Sequence, residues 1–209
     1  MNIRKSMILT AALSLAFLSV LPGLMAQITI RPMFCPVRLN EIGPNPGSGN
    51  DDGREFIELW NRSDDWVDIS SWRVADSSSS DTLADYTGAY DVGLPGLEIP
   101  PWGFAVIVES DYSGYYNDYL EEYAGVNNFI LVRVDDSQIG SILNDTGDTV
   151  TVTTHYPSPL TSGYQKLTHT YGAATEGVSI ERDRYDQNSW IDSPDPEFGC
   201  TPGGINSYQ

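Results

Sequence analysis

The chain has 209 residues, with 29 Asp and Glu against 11 Lys and Arg and a formal charge of −18. Phosphate backbones are held by clustered Lys and Arg, so a balance this acidic argues against direct binding of DNA or RNA. The length suits one domain with its own core, and the Gly, Pro, Thr, Val and Tyr content favours short strands with turns over helices.

At the N-terminus, Arg4 and Lys5 precede the apolar run Met7 to Leu21, and Pro22-Gly23 breaks that run before Ala26. This pattern predicts an export signal over residues 1–26, cleaved after Ala26, and a mature domain over 27–209. The alternative is an uncleaved anchor, for which the run is short, and no other segment approaches the roughly 20 apolar residues of a membrane helix. Removal of Arg4 and Lys5 takes the formal charge from −18 to −20. The mature protein is therefore expected outside the cytoplasm, secreted or in the cell envelope, without a membrane span. No Cys follows the signal directly, as lipid attachment would require.

Strand signals then recur at short intervals, near Val37–Ile42, Glu55–Asn61, Trp66–Ile69, Trp72–Ala75, Leu97–Ile99, Phe104–Glu109, Phe129–Val134, Asp148–Thr154, Gln165–Tyr171 and Val178–Arg182. In Glu55–Asn61, Phe56, Glu58 and Trp60 share one face while Ile57 and Leu59 share the other. Apolar residues on both faces predict an interior strand covered on each side. Phe56, Trp60, Trp72, Phe104 and Val150 are the expected core. Between the strands lie turn clusters such as Gly43-Pro44-Asn45-Pro46-Gly47, Pro100-Pro101-Trp102-Gly103 and Asn144-Asp145-Thr146-Gly147. Two insertions are longer: Asp76 to Gly96, and Tyr112 to Asn128, where Asn117 to Tyr123 could form one or two helical turns.

The order of these segments resembles the lamin-tail domain of nuclear lamins and of exported prokaryotic proteins. Leu39-Asn40-Glu41-Ile42 is similar to its opening strand, and Glu55-Phe56-Ile57-Glu58-Leu59-Trp60-Asn61 to its most characteristic stretch. Val67 to Trp72, Leu97 with Ile99 to Phe104, Leu143 to Val150, Val178 to Arg182 and Thr201 to Asn206 follow in the family's order. The resemblance implies an all-β, immunoglobulin-like β-sandwich. The two insertions depart from the pattern, as does the lengthened connection Tyr156 to Tyr164. Family membership alone says little about activity, because one fold hosts many functions.

The residues that could carry chemistry are few. His155 and His169 are the only side chains of a type whose unperturbed pKa lies near neutrality, and neither sits in a motif with a nucleophile. His169 alternates along its strand at what should be an exposed position. No GxSxG, HExxH or phosphate-cradling loop is present, so no enzyme is expected. Glu41, Glu55 and Glu58 lie on strands beside apolar neighbours and need partners if buried, either from Arg54, Arg62, Arg73 and Arg182 or from hydrogen bonds. Pinning the sandwich is the preferred role over holding a ligand. Acid-rich loops offer oxygens for Ca²⁺, with Asp51, Asp52, Asp76 and Asp81 as candidates, against the plainer reading of a solvated face. Otherwise no cofactor is expected. Tyr112, Tyr115, Tyr116, Tyr119 and Tyr123 crowd one insertion, where they either pack over the sheet or present an aromatic surface. Asn61-Arg62-Ser63 and Asn144-Asp145-Thr146 fit the N-glycosylation pattern but fall inside the family-like segments.

Cys35 and Cys200 stand near the two ends of the mature chain. Export permits oxidation, and the first and last family-like segments should lie close together, so a Cys35–Cys200 disulfide is expected, with two thiols as the alternative. The functional expectation is a non-catalytic extracellular or envelope module that binds or scaffolds a protein or extracellular polymer. The alternative is a calcium-dependent carbohydrate-binding or adhesion module. A third is an enzyme, or an accessory domain to an enzyme on another chain.

Overall fold

The computed structural model describes residues 35–47, 53–124, 128–155, 164–183, 186, 188–194 and 199–206. The expected signal at 1–26 and almost all of the lengthened 156–164 connection lie outside the described residues. Among those residues, no helix is long and apolar enough to cross a membrane.

The fold is all-β. Its strands are β1 (Val37–Gly43), β2 (Phe56–Asn61), β3 (Val67–Asp68), β4 (Arg73–Ala75), β5 (Ser80–Asp85), β6 (Glu98–Ile99), β7 (Phe104–Val108), β8 (Phe129–Val134), β9 (Asp148–Thr154), β10 (Gln165–Tyr171), β11 (Ile180–Arg182) and β12 (Trp190–Asp192). Ten overlie expected strands; β5 and β12 are additional. In β5 only Leu83 is strongly apolar, and the strand forms because β4 and β8 pair with it on either side. Strand β12 likewise exists through its pairing with β11.

One large sheet runs in the order β10-β9-β4-β5-β8-β7-β2-β1-β11-β12, and β3 and β6 form a separate two-stranded ribbon. The sheet curls on itself in the manner of an immunoglobulin-like β-sandwich. A first core fills the inside of the curl: Leu39, Ile57, Leu59, Ile107 and Val132 from the middle strands meet Val74, Val150 and Val152 from the far half, together with Trp72. Where the curl closes, the Cys35 amide donates to Gln165 Oε1 at 3.2 Å.

The two-faced pattern of β2 is realised, since this strand lies between β1 and β7. Ile57 and Leu59 enter the first core, while Phe56 enters a second core on the opposite face with Phe104, Val106, Phe129, Leu131 and Leu120. Of the five expected core residues, four are buried and Trp60 is half-buried, stacked on Phe104 at 6.3 Å. Truncating Trp72 would cost about 3–5 kcal/mol.

Strands β7 and β8 are parallel, with Phe104 opposite Phe129. A parallel pair needs a crossover of a dozen or more residues, and this accounts for the Tyr-rich insertion. It carries one helical turn, Asn117–Tyr119, running into a π-helical stretch, Leu120–Ala124, and it covers the second core.

Candidate functional site

The three fully buried glutamates Glu58, Glu41 and Glu181 face one another across β2, β1 and β11. The sequence marked the first two. A β-bulge between Leu39 and Glu41 sets this register and frees Asn40 to turn its amide onto Glu58 Oε1 at 2.6 Å. The other bonds come from the C-terminal strap, residues 199–206, and from Ser179. Ser179 Oγ and the Thr201 amide donate to Glu41 Oε1 at 2.5 and 2.8 Å, and the Gly203 amide donates to Glu58 Oε2 at 2.5 Å. Thr201 Oγ1 lies 2.9 Å from Glu41 Oε2 and 3.2 Å from Glu181 Oε1. One hydroxyl hydrogen serves only one of those oxygens, so the other contact calls for a proton on a carboxyl group.

Burial, and then the neighbouring Glu181, push Glu41 up to about 8 against the bonds from Ser179 and Thr201. Burial, then Glu41, likewise hold Glu58 well above the carboxylate range. Beside the row is a cavity of ≈ 10 Å³ lined by Gly43, Tyr116, Ser179 and Cys200 among others, room for one water and no larger ligand. The row ties the strap to the sheet and offers no binding volume.

Asp76 and Asp81, two of the calcium candidates, meet the same loop at Gly140-Ser141. The amides of Ser78 and Ser79 donate to Asp76 Oδ1 at 2.7 and 2.6 Å, and the Ser141 amide and hydroxyl to Oδ2 at 2.8 and 2.7 Å. Burial raises this carboxyl, but those bonds together outweigh it and hold Asp76 far below the usual range. Asp81 Oδ2 accepts from the Gly140 amide at 2.5 Å. A cation here would have to displace those N–H groups, and among the described residues no three His, Cys, Asp or Glu groups are placed to hold a metal. Asp51 and Asp52 lie outside the described residues. Glu55 Oε2 accepts from the Leu143 amide at 3.2 Å, and Glu109 Oε2 accepts from the amides of Arg54 and Glu55 at 2.8 and 3.2 Å.

The arginines cover aromatic rings and carbonyls. Arg54 lies over Tyr115 at 4.8 Å and Arg62 over Trp60 at 5.3 Å, while Arg73 reaches Ser80 O and Arg182 reaches Leu39 O. Tyr112, Tyr116 and Tyr119 are buried, so packing is their role; Tyr115 is exposed, and the side chain of Tyr123 lies outside the described residues. His169 is half-buried rather than exposed, because its ring stacks on Trp190 at 3.9 Å, and burial, then Arg182, push it down to about 4.

The expected Cys35–Cys200 disulfide is absent from the structure. Cys35 stands before β1 and packs on the first core, whereas Cys200 is buried in the second core next to Thr201, whose bonds reach Glu41. The six residues from Cys35 to Glu41 span about 20 Å of strand, well beyond the ~7 Å a disulfide allows between Cα atoms.

A different region exposes large aromatic rings. Val67 and Ile99 pair in the β3–β6 ribbon and are buried, so Trp66, Asp68 and Glu98 occupy the outward face. Asn61 Nδ2 stitches the two loops beyond the ribbon by donating to the carbonyls of Asp65 and Pro100 at 2.8 and 2.9 Å. The Trp102 amide donates to Ser63 O at 3.2 Å, and its indole N–H to Asp64 Oδ1 at 2.9 Å. Trp102 has φ 57°, the one non-glycine residue with positive φ among the described residues. For a bulky side chain that costs about 1–2 kcal/mol. Trp66 and Trp102 nevertheless stay 55% and 51% exposed. Sequence reading placed Pro100 to Gly103 as a turn and missed its exposed ring; a Trp directly before the Gly of a proline turn was the available signal.

A curled all-β sheet whose interior acids are bound to its own amides and hydroxyls, with large rings exposed on loops, is a β-sandwich module. The family model described as Lamin Tail Domain matches residues 34–157, and the chain belongs to that family, one of non-enzymatic domains. No curated protein and no solved structure matches the chain.

Proposed function

We propose that the protein is an exported, non-catalytic lamin-tail module that holds a protein or polymer outside the cytoplasm through its loops. The observation that carries this reading is the pair of half-exposed indoles, Trp66 and Trp102, on two loops fastened to each other by hydrogen bonds. Rigid, pre-organised aromatic contacts favour association, because little side-chain freedom remains to be lost on binding. Export rests on the signal pattern of residues 1–26. The calcium-dependent carbohydrate alternative draws no support from Asp76 and Asp81, whose oxygens already accept internal N–H groups.

Photo-crosslinking residues placed at positions 66 and 102, and for comparison at Thr168 on the exposed face of β10, test the loops in the native host. Adducts from 66 and 102 but not from 168 are expected, on a protein recovered outside the cytoplasm with Gln27 as its first residue. Equal labelling at all three positions, or an uncleaved cytoplasmic chain, would contradict the proposal.

A further inference from the structure

The outward face of the β3–β6 ribbon joins two features that each carry a cost. Asp68 and Glu98 are directly opposed across the ribbon and both are exposed, and like charges facing each other in this way are destabilising. Asp64 and Asp65, also exposed, stand two and one residues before Trp66. Alongside this carboxylate group lie the two exposed indoles, one held at positive φ. Trp102 has its N–H on Asp64, which leaves its ring faces as the main surface it can offer.

Ring faces beside carboxylates match a cation on an apolar stem. An ammonium or guanidinium within about 6 Å of an indole centroid gains from the ring's quadrupole, and the neighbouring acids add direct charge attraction. Along an extended strand, Trp66 and Asp68 are about 7 Å apart on one face, the reach of a Lys or Arg side chain. A neutral sugar ring would use the indoles but would leave four carboxylates without a counter-charge.

We propose that Trp66, Trp102, Asp64, Asp65, Asp68 and Glu98 form a docking face for a Lys- or Arg-bearing segment of a partner protein. This rests on the loop-binding function proposed above and names its partner class. Trp66 and Trp102 supply cation–π and stem contacts, and the acids supply the counter-charge. The acidity of the whole chain attracts any basic peptide, so the decisive contrast is between variants of equal charge.

The test uses the full exported chain, titrated calorimetrically with octalysine, octaglutamate and the neutral sugar cellohexaose. Octalysine should bind. A double variant, Trp66→Ala with Trp102→Gly, should weaken it by at least about fivefold at unchanged protein charge. Glycine tolerates the positive φ at 102, so the melting temperature should not fall and loss of fold does not explain the result. Asp68→Asn with Glu98→Gln should also weaken octalysine binding, and more so at low salt. Equal octalysine affinity in the wild type and the double variant would overturn the proposal, as would no binding at all. Indole-dependent binding of cellohexaose without octalysine would overturn the partner class while leaving the loop-binding function standing; absence of loop-specific crosslinks in the host would overturn that function itself.

Discussion

Two places in this fold, one in the large sheet and one in the separate ribbon, set carboxylates face to face across neighbouring strands, and the chain resolves them differently. In the row Glu58, Glu41, Glu181 the acids are sealed from water and receive amides and hydroxyls from Asn40, Ser179, Thr201 and Gly203, and Glu41 and Glu58 hold on to protons. In the ribbon pair Asp68 and Glu98 the acids stay in solvent beside two exposed indoles. Opposed like charges in a sheet are thus neutralised by the fold's own protons where they are buried, and remain open to a charge from outside where they are not. The buried row serves stability; the exposed pair belongs to the proposed docking face.

The largest expected effect is on the pH dependence of stability. Glu41 and Glu58 bind protons more tightly folded than unfolded, so their contribution is complete below about pH 4.5 and is lost as pH rises through about 8. For Glu41 alone this is on the order of 5 kcal/mol. Thermal melts should fall steadily from pH 5 to pH 8.5, and Glu41→Gln, which stays neutral, should flatten that slope; the same slope in both proteins would break the contrast. Next in size, Glu58→Ala strands the Asn40 and Gly203 donors and opens a cavity, an expected loss of about 2–4 kcal/mol seen as a fall of roughly 5–15 °C in melting temperature.

Asp76 sharpens the comparison from the opposite side. With several donors converging on one carboxylate its proton affinity is depressed, so its contribution is present above about pH 3.8 and is lost on acidification. Ser141→Ala removes one donor and should cost about 1 kcal/mol at pH 6, with a smaller cost near pH 2, measured by chemical denaturation. The smallest effect is expected at the ribbon, where Asp68→Asn should change stability by no more than about 0.5 kcal/mol, in the stabilising direction. A large destabilisation there would show that the pair is structural after all.

How far the sequence carried these results depended on the range of the interaction. The two apolar faces of Phe56 to Asn61 and the buried Trp72 follow from local alternation, and both are realised. Strand β5 was hidden because Ser80 to Asp85 has little apolar signal of its own and acquires its structure from β4 and β8. Glu41 and Glu58 were legible as acids in need of partners, but Glu181 joins them only through a register set by the bulge near Asn40. The disulfide expectation treated nearness of the chain ends as nearness of the thiols, and the length of β1 separates them. Trp102 looked like part of a turn because its exposure depends on a backbone angle that no composition reveals.

The division between acids that hold protons inside the fold and acids that hold charge can be measured directly by carboxyl-carbon NMR titration of the folded protein, with Glu41, Glu58 and Asp76 assigned. Glu41 and Glu58 should titrate above the ordinary carboxylate range, Glu41 at about 8, while Asp76 stays ionised down to the lowest pH at which the fold survives. Midpoints near the ordinary carboxylate value for all three would contradict that division.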